Sequence, residues 1–244
     1  MWRADFFAPA ESLLQAAPWI MVRGNHEACD RGGKGWARTL DPYPFDAAGG
    51  AQGCLGPARP FTIDLNGLTL EIMDVSAADE EVNDAQVAWY KDQFALPKMI
   101  PGPVWQVFHR PVWAVDAPEG RQRKGDNKTL AAAASANVPS NVQAFVSGHH
   151  HTFEVMAYDQ DLPIQIVSGH GGDDLSPWAP KSVEGLEING VRVKGGIGRP
   201  GLFGFSMIER APDGQPGDWT VTGYDVHGQP MGECKLAGRS ISCK

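Results

Sequence analysis

The sequence predicts a mixed α/β domain, with strands and helices alternating first and antiparallel hairpins following. Three observations carry this. Short apolar runs rich in β-branched and aromatic residues end at histidines in three places. They are Trp19–Val22 before Arg23-Gly24-Asn25-His26-Glu27, Val104–Phe108 before His109, and Val142–Ser147 before Gly148-His149-His150-His151. A buried strand that delivers a polar side chain to the rim of a sheet looks like this, and ligands collect at such rims in open α/β folds. Helical spacing separates the runs, and two hairpin patterns accompany them, one centred on Asn66-Gly67.

In chain order, residues 10–17 read as a short helix stopped by Pro18, and Trp19–Val22 as a buried strand. Residues 29–60, rich in Gly, Pro, Asp and Arg, read as a long functional loop. Residues 61–65 and 68–75 alternate around Asn66-Gly67 as a hairpin. Residues 84–96 have helical spacing, with Val87, Tyr90 and Phe94 on the buried side; residues 97–103 break it. A strand is expected at 104–108, an Ala-rich helix at 127–137 and a strand at 142–147. Residues 153–158 and 164–167 form a second hairpin around Asp159-Gln160-Asp161. Gly169-His170-Gly171-Gly172-Asp173-Asp174 opens a loop to about Pro200, and late strands lie near 203–209 and 219–226. No repeat or domain linker interrupts the 244 residues, so they read as a single domain.

Composition narrows the partners. A net charge of -8 speaks against nucleic acid, which needs clustered Lys and Arg; the densest basic cluster, residues 121–124, is short. No apolar run approaches a membrane span. The four cysteines lack C-x-x-C spacing and pair by position as Cys29–Cys54 and Cys234–Cys243. Both pairs lie in loop-like sequence, which points to disulfides and an oxidising compartment.

Three of the seven histidines stand in one run. His149 and His151, two apart after a strand, can both point into one cleft while His150 faces elsewhere. Asn25 offers a neutral amide oxygen beside the imidazole of His26. A mixed set of His and Asn suits Fe, Mn or Zn better than Ca or Mg. Each motif alone also reads as a turn or surface loop; together they point to a metal site.

Gly-Asn-His-Glu, a lone His after a later strand and Gly-His-x-His, in that order, resemble the calcineurin-like metallophosphoesterases, the superfamily that includes purple acid phosphatases. Residues 2–9 and 18–23 look like a bacterial branch of it. The resemblance implies a β-sandwich flanked by helices (α/β/β/α) with the site at the strand ends. It implies a phosphoric ester hydrolase with two divalent or trivalent ions, acting on a small phosphate-ester substrate. Asn25, His109 and His149 would bind one metal and His151 the other. His26 would bind no metal; it would steady the leaving-group or phosphoryl oxygens, and Glu27 would orient His26 by a hydrogen bond.

The family also has Asp-x-His and Gly-Asp pieces on earlier strands, and only 24 residues precede Asn25. Asp225-Val226-His227, Gly125-Asp126, Gly172-Asp173 and Gly217-Asp218 are possible substitutes, each in loop-like sequence. The expectation is therefore a family domain whose first strands, bridging carboxylate and signal peptide lie upstream of Met1, in a periplasmic or secreted protein. A relative without catalysis that keeps the cleft for binding, or a zinc amidase using His109, His149 and His151, are the alternatives. Residues 29–60 and 169–200 would wall the substrate site, with Trp36, Trp113 and Trp178 as a candidate apolar face.

Overall fold

The computed structural model of the chain describes residues 2–43, 56–116, 127–177, 179–211 and 218–244. Cys54, Trp178, residues 121–126 and Gly217 therefore lie outside the described residues. A turn of π-helix at Arg3–Phe7 precedes α1 (Glu11–Ala16), and α2 (Gly33–Thr39) follows the turn Asn25–Glu27. The first hairpin is β1 (Phe61–Asp64) and β2 (Thr69–Ile72). Asn66 (φ 56°) and Gly67 (φ 98°) turn it through the left-handed region that an Asn-Gly pair tolerates. Next come α3 (Asp84–Ala95), β3 (Val104–Val107), α4 (Lys128–Ala134) and β4 (Val142–Ser147). Asn83 and Asn127 cap the two helices, each side chain accepting from a backbone N–H three residues on.

The second expected hairpin forms from β5 (Phe153–Tyr158) and β6 (Ile164–Ser168). Then follow β7 (Glu187–Ile188), β8 (Val191–Arg199), β9 (Gly204–Arg210), β10 (Asp218–Asp225), β11 (Pro230–Ala237) and β12 (Ser240–Cys243). The strands build an eight-stranded sheet in the order β1-β2-β3-β4-β6-β5-β8-β7 and a four-stranded sheet in the order β12-β11-β10-β9. Strands β2, β3, β4 and β6 run parallel; the remaining pairs are antiparallel. This is the mixed α/β architecture the sequence predicts, a large sheet flanked by helices.

Two cores follow from alternation along the strands. On one face of the large sheet Phe108 and Phe145 pack with Phe94 of α3 and Leu130 of α4. On the other face Trp105, Ala144 and Ile164 pack against Val221 and Leu236 of the small sheet. Trp113 is fully buried in the first core and Trp36 is also buried, so neither offers a face to a ligand.

Three expectations change. Trp19–Val22 is not a strand, and Trp19 and Ile20 are 46% and 37% exposed. An apolar run becomes a strand only where a neighbouring edge takes up its N–H and C=O groups. The loop at 29–60 contains α2, and the loop at 169–200 contains β7 and β8. The C-terminal pair β11 and β12 was not anticipated; the Cys234–Cys243 disulfide joins directly opposed residues across it. Cys29 is also disulfide-bonded, while its expected partner Cys54 lies outside the described residues.

Candidate metal centre

Parallel pairing of β3 with β4 brings the two histidine-bearing strand ends together. Phe108 N donates to Val146 O at 3.0 Å and Gly148 N to His109 O at 3.1 Å. His109 and His149 then stand with ring centroids 5.0 Å apart. His149 has φ 65°, a left-handed conformation that costs a non-glycine residue about 1 kcal/mol or more. Neighbouring bonds hold it there: His150 N to Gly148 O at 2.7 Å, and Thr152 N to His150 O at 2.8 Å. The hairpin return supplies the back wall. Gly169 passes so close to this loop that a Cβ on it would lie 1.9 Å from His150 O.

Asn25, His26 and Glu27 form one turn of 3₁₀-helix. Glu27 Oε2 accepts from Gly24 N at 2.9 Å, as a residue at that position does in a capping box. Arg23, itself buried, wraps the other end: Nε and Nη2 donate to Glu27 O at 3.1 and 3.0 Å. Its Nη1 reaches Asp74 Oδ2 at 3.1 Å, and Asp74 also accepts from Ala58 N and Ser76 N. The turn is thus fastened to the end of β2. It meets the histidine loops at Asn25, whose Oδ1 lies 2.9 Å from His109 Nε2. Gly24 permits the approach, since a Cβ there would lie 3.1 Å from His109 Cε1.

These segments enclose a pocket of about 540 Å³ lined by Asn25, His26, His109, His149 and His151. His150 points inward instead and is 1% exposed. Glu27 does not line the pocket, and its carboxylate bonds Gly24, not His26 as expected. The partner of His26 is Arg31, whose Nη2 lies 2.8 Å from Nδ1. Sequence reasoning also missed Glu80, Asp116, Ser168 and Ser176, which line the same pocket. Arg110 stands 3.5 Å from Glu80. Of the possible Asp-x-His and Gly-Asp substitutes, Gly172 lines the pocket, whereas Asp225 closes a turn by accepting from His227 N and Gln229 N.

Burial holds His109 and His149 neutral. It lowers His109 to about 4, helped by Arg110 and the neighbouring imidazoles. It lowers His149 to about 2, helped first by His109. A neutral imidazole keeps the lone pair that a metal needs. Asn25, His109 and His149 bring amide and imidazole donors of borderline softness to one pocket. Among the described residues, no three His, Cys, Asp or Glu side chains stand together as a metal-holding group.

A model of the calcineurin-like phosphoesterase family matches residues 2–153. Among solved structures, the purple acid phosphatase PPD1 from yellow lupin (Lupinus luteus) seeds is similar, with a TM-score of 0.55 at 18% identity. That similarity covers 94% of this chain and 42% of the lupin chain, so this chain spans less than half of its length. GAP50, the anchor in the inner membrane complex of Plasmodium, aligns at a TM-score of 0.46 and 14% identity, over 77% of this chain and 57% of that one. Comparison with curated proteins finds no match.

Proposed function

The chain belongs to the calcineurin-like phosphoesterase family, and from that premise we propose that it is a metal-dependent hydrolase of small phosphoric esters. The observation that carries this reading is the convergence of Asn25, His26, His109, His149 and His151, from three separate segments, on one pocket. Asn25, His109 and His149 would hold one ion, with Fe, Mn or Zn favoured by the imidazole and amide donors. His151 would face a second ion, as the family resemblance implies. Bound there, such ions supply Lewis acidity and an acidified water.

The chain's own residues do the rest. His26, outside the ligand set, donates its ring N–H to the phosphoryl or leaving-group oxygen, where negative charge grows in the transition state. Arg23, Glu27 and Asp74 hold the turn that carries His26. Residues 169–172 form a close wall that limits the ester's approach.

One observation favours a second reading. None of the proposed ligands Asn25, His109, His149 and His151 is a carboxylate, which weakens their hold on a dication, so a relative that binds phosphate esters without cleaving them is the alternative. The Cys234–Cys243 disulfide is compatible with a periplasmic or secreted protein, which is the compartment we propose. Among the described residues, no helix is long and apolar enough to cross a membrane.

The test is hydrolysis of an aryl phosphate at saturating Mn²⁺, Fe²⁺ or Zn²⁺, with an aryl amide alongside. Ester cleavage should depend on the added ion. His26→Ala should lower kcat by about 10²–10³-fold, the effect of one lost oxyanion donor, without changing metal content. Ester binding with no metal-dependent cleavage would favour the non-catalytic relative; amide cleavage alone would sink both readings.

A further inference from the structure

His26 is useful only if its proton is on the nitrogen that faces the substrate. Its Nδ1 lies 2.8 Å from Arg31 Nη2. A guanidinium carries five N–H donors and no acceptor, so Nδ1 must supply the lone pair. The ring proton is then on Nε2. We propose that Arg31 is a positioning residue that fixes the Nε2–H tautomer of His26 and so aims its one donor at the substrate oxygen.

The backbone around the pair is built to keep it. Arg31 N donates to Ala28 O at 2.9 Å, and Gly32 N donates to His26 O at 3.0 Å. The chain therefore folds back over the 3₁₀ turn within five residues and returns Arg31 to the imidazole. The start of α2 packs hard on the same turn: a Cβ on Gly33 would lie 2.5 Å from Glu27 O. On the opposite side, Arg23 holds Glu27 O. The turn is gripped from both sides, and among the described residues it is Arg31 that hydrogen-bonds the His26 ring. Which nitrogen carries the proton is a choice that neither Asn25 nor Glu27 makes, since Asn25 Oδ1 faces His109 and Glu27 Oε2 faces Gly24.

This inference rests on the hydrolase reading for its catalytic meaning but not for its test. The tautomer is read from ¹⁵N shifts of the metal-free 244-residue chain, at about pH 8. His26→Gln assigns the signals. The native protein should show a pyridine-like Nδ1 and a pyrrole-like Nε2. Arg31→Met, which keeps bulk and removes the donors, should give a mixture of tautomers. Arg31→Glu, which offers an acceptor, should move the proton to Nδ1. With an aryl phosphate, kcat should fall about tenfold in Arg31→Met and further in Arg31→Glu with KM little changed, a part of what a positioned acid contributes. Tautomers that shift as expected in a protein that cleaves no ester support the positioning role and count against the hydrolase reading alone. A native His26 protonated on Nδ1, or one tautomer unchanged through both variants, overturns the proposal even if ester cleavage is robust.

Discussion

At the scale of single residues, three adjacent histidines have unlike surroundings. His149 and His151 line the pocket, whereas His150 is buried. The alternation was legible because successive residues after a strand diverge, and histidine is scarce enough for a cluster to stand out. Arg23 and Arg31 were not legible. An arginine in a polar turn has the same appearance whether it faces water or grips a backbone carbonyl, and only the folded turn decides. Their roles differ from those of the histidines in what substitution should do. His149→Ala removes a donor from the Asn25–His109–His149 set, so calorimetric titration with Zn²⁺ should lose its binding signal while the melting temperature changes little. His150→Ala leaves the donors in place and opens a cavity in the interior, which costs about 2–4 kcal/mol by analogy with other large-to-small core changes. Its titration should remain and its melting temperature should fall. The reverse pattern would mean that the histidine register has been misassigned.

At the scale of elements, strong local signals survived and context-dependent ones did not. Asn66-Gly67 gave its hairpin because the pair's own backbone preference suffices, whereas the caps Asn83 and Asn127 emerge only from the folded helices. Asn189-Gly190 carries the same signal between β7 and β8, with φ 48° and 76°, but it lies in a Gly- and Pro-rich stretch that masked it. Trp19–Val22 failed for the opposite reason, since a strand needs a neighbour. Polar residues inside strands were also unreadable. Glu71 of β2 is 2% exposed and accepts from Gln106 Nε2 of β3 at 2.7 Å. Burial raises its carboxyl from 4.5 to about 7, only partly opposed by that hydrogen bond. Between those values the folded state keeps a proton that the unfolded chain releases, so stability falls as pH rises through the window and the loss is complete above about 7. Glu71→Gln keeps the shape and cannot ionise. It should therefore be more stable than the native chain at about pH 8, by up to about 3 kcal/mol, and nearly equal to it at about pH 4, in urea titrations at both values. Equal stabilities at the higher pH would show that Glu71 ionises in the folded protein without penalty.

At the scale of the whole molecule, the layered fold decides where the charge can go. Parallel β3, β4 and β6 all end at the pocket, and their termini supply His109, His149, His151 and Ser168. The small sheet covers one face of the large one and the helices pack on the other, so apolar layers underlie the site. Such surroundings make an uncompensated dication costly, and the described ligand set holds no carboxylate to offset it. An ion held by Asn25, His109 and His149 has three neutral donors, while one held by His151 alone has a single imidazole in competition with water. We therefore expect the purified chain to take up one divalent ion rather than two, and to give it up on dialysis. Titration with Zn²⁺ or Mn²⁺ followed by elemental analysis measures both properties. His149→Ala should abolish the uptake, and His151→Ala should leave its stoichiometry at one. Two ions retained through dialysis would overturn this, because two dications need anionic ligands, and Glu80 and Asp116 are the pocket carboxylates whose replacement should then release one of them.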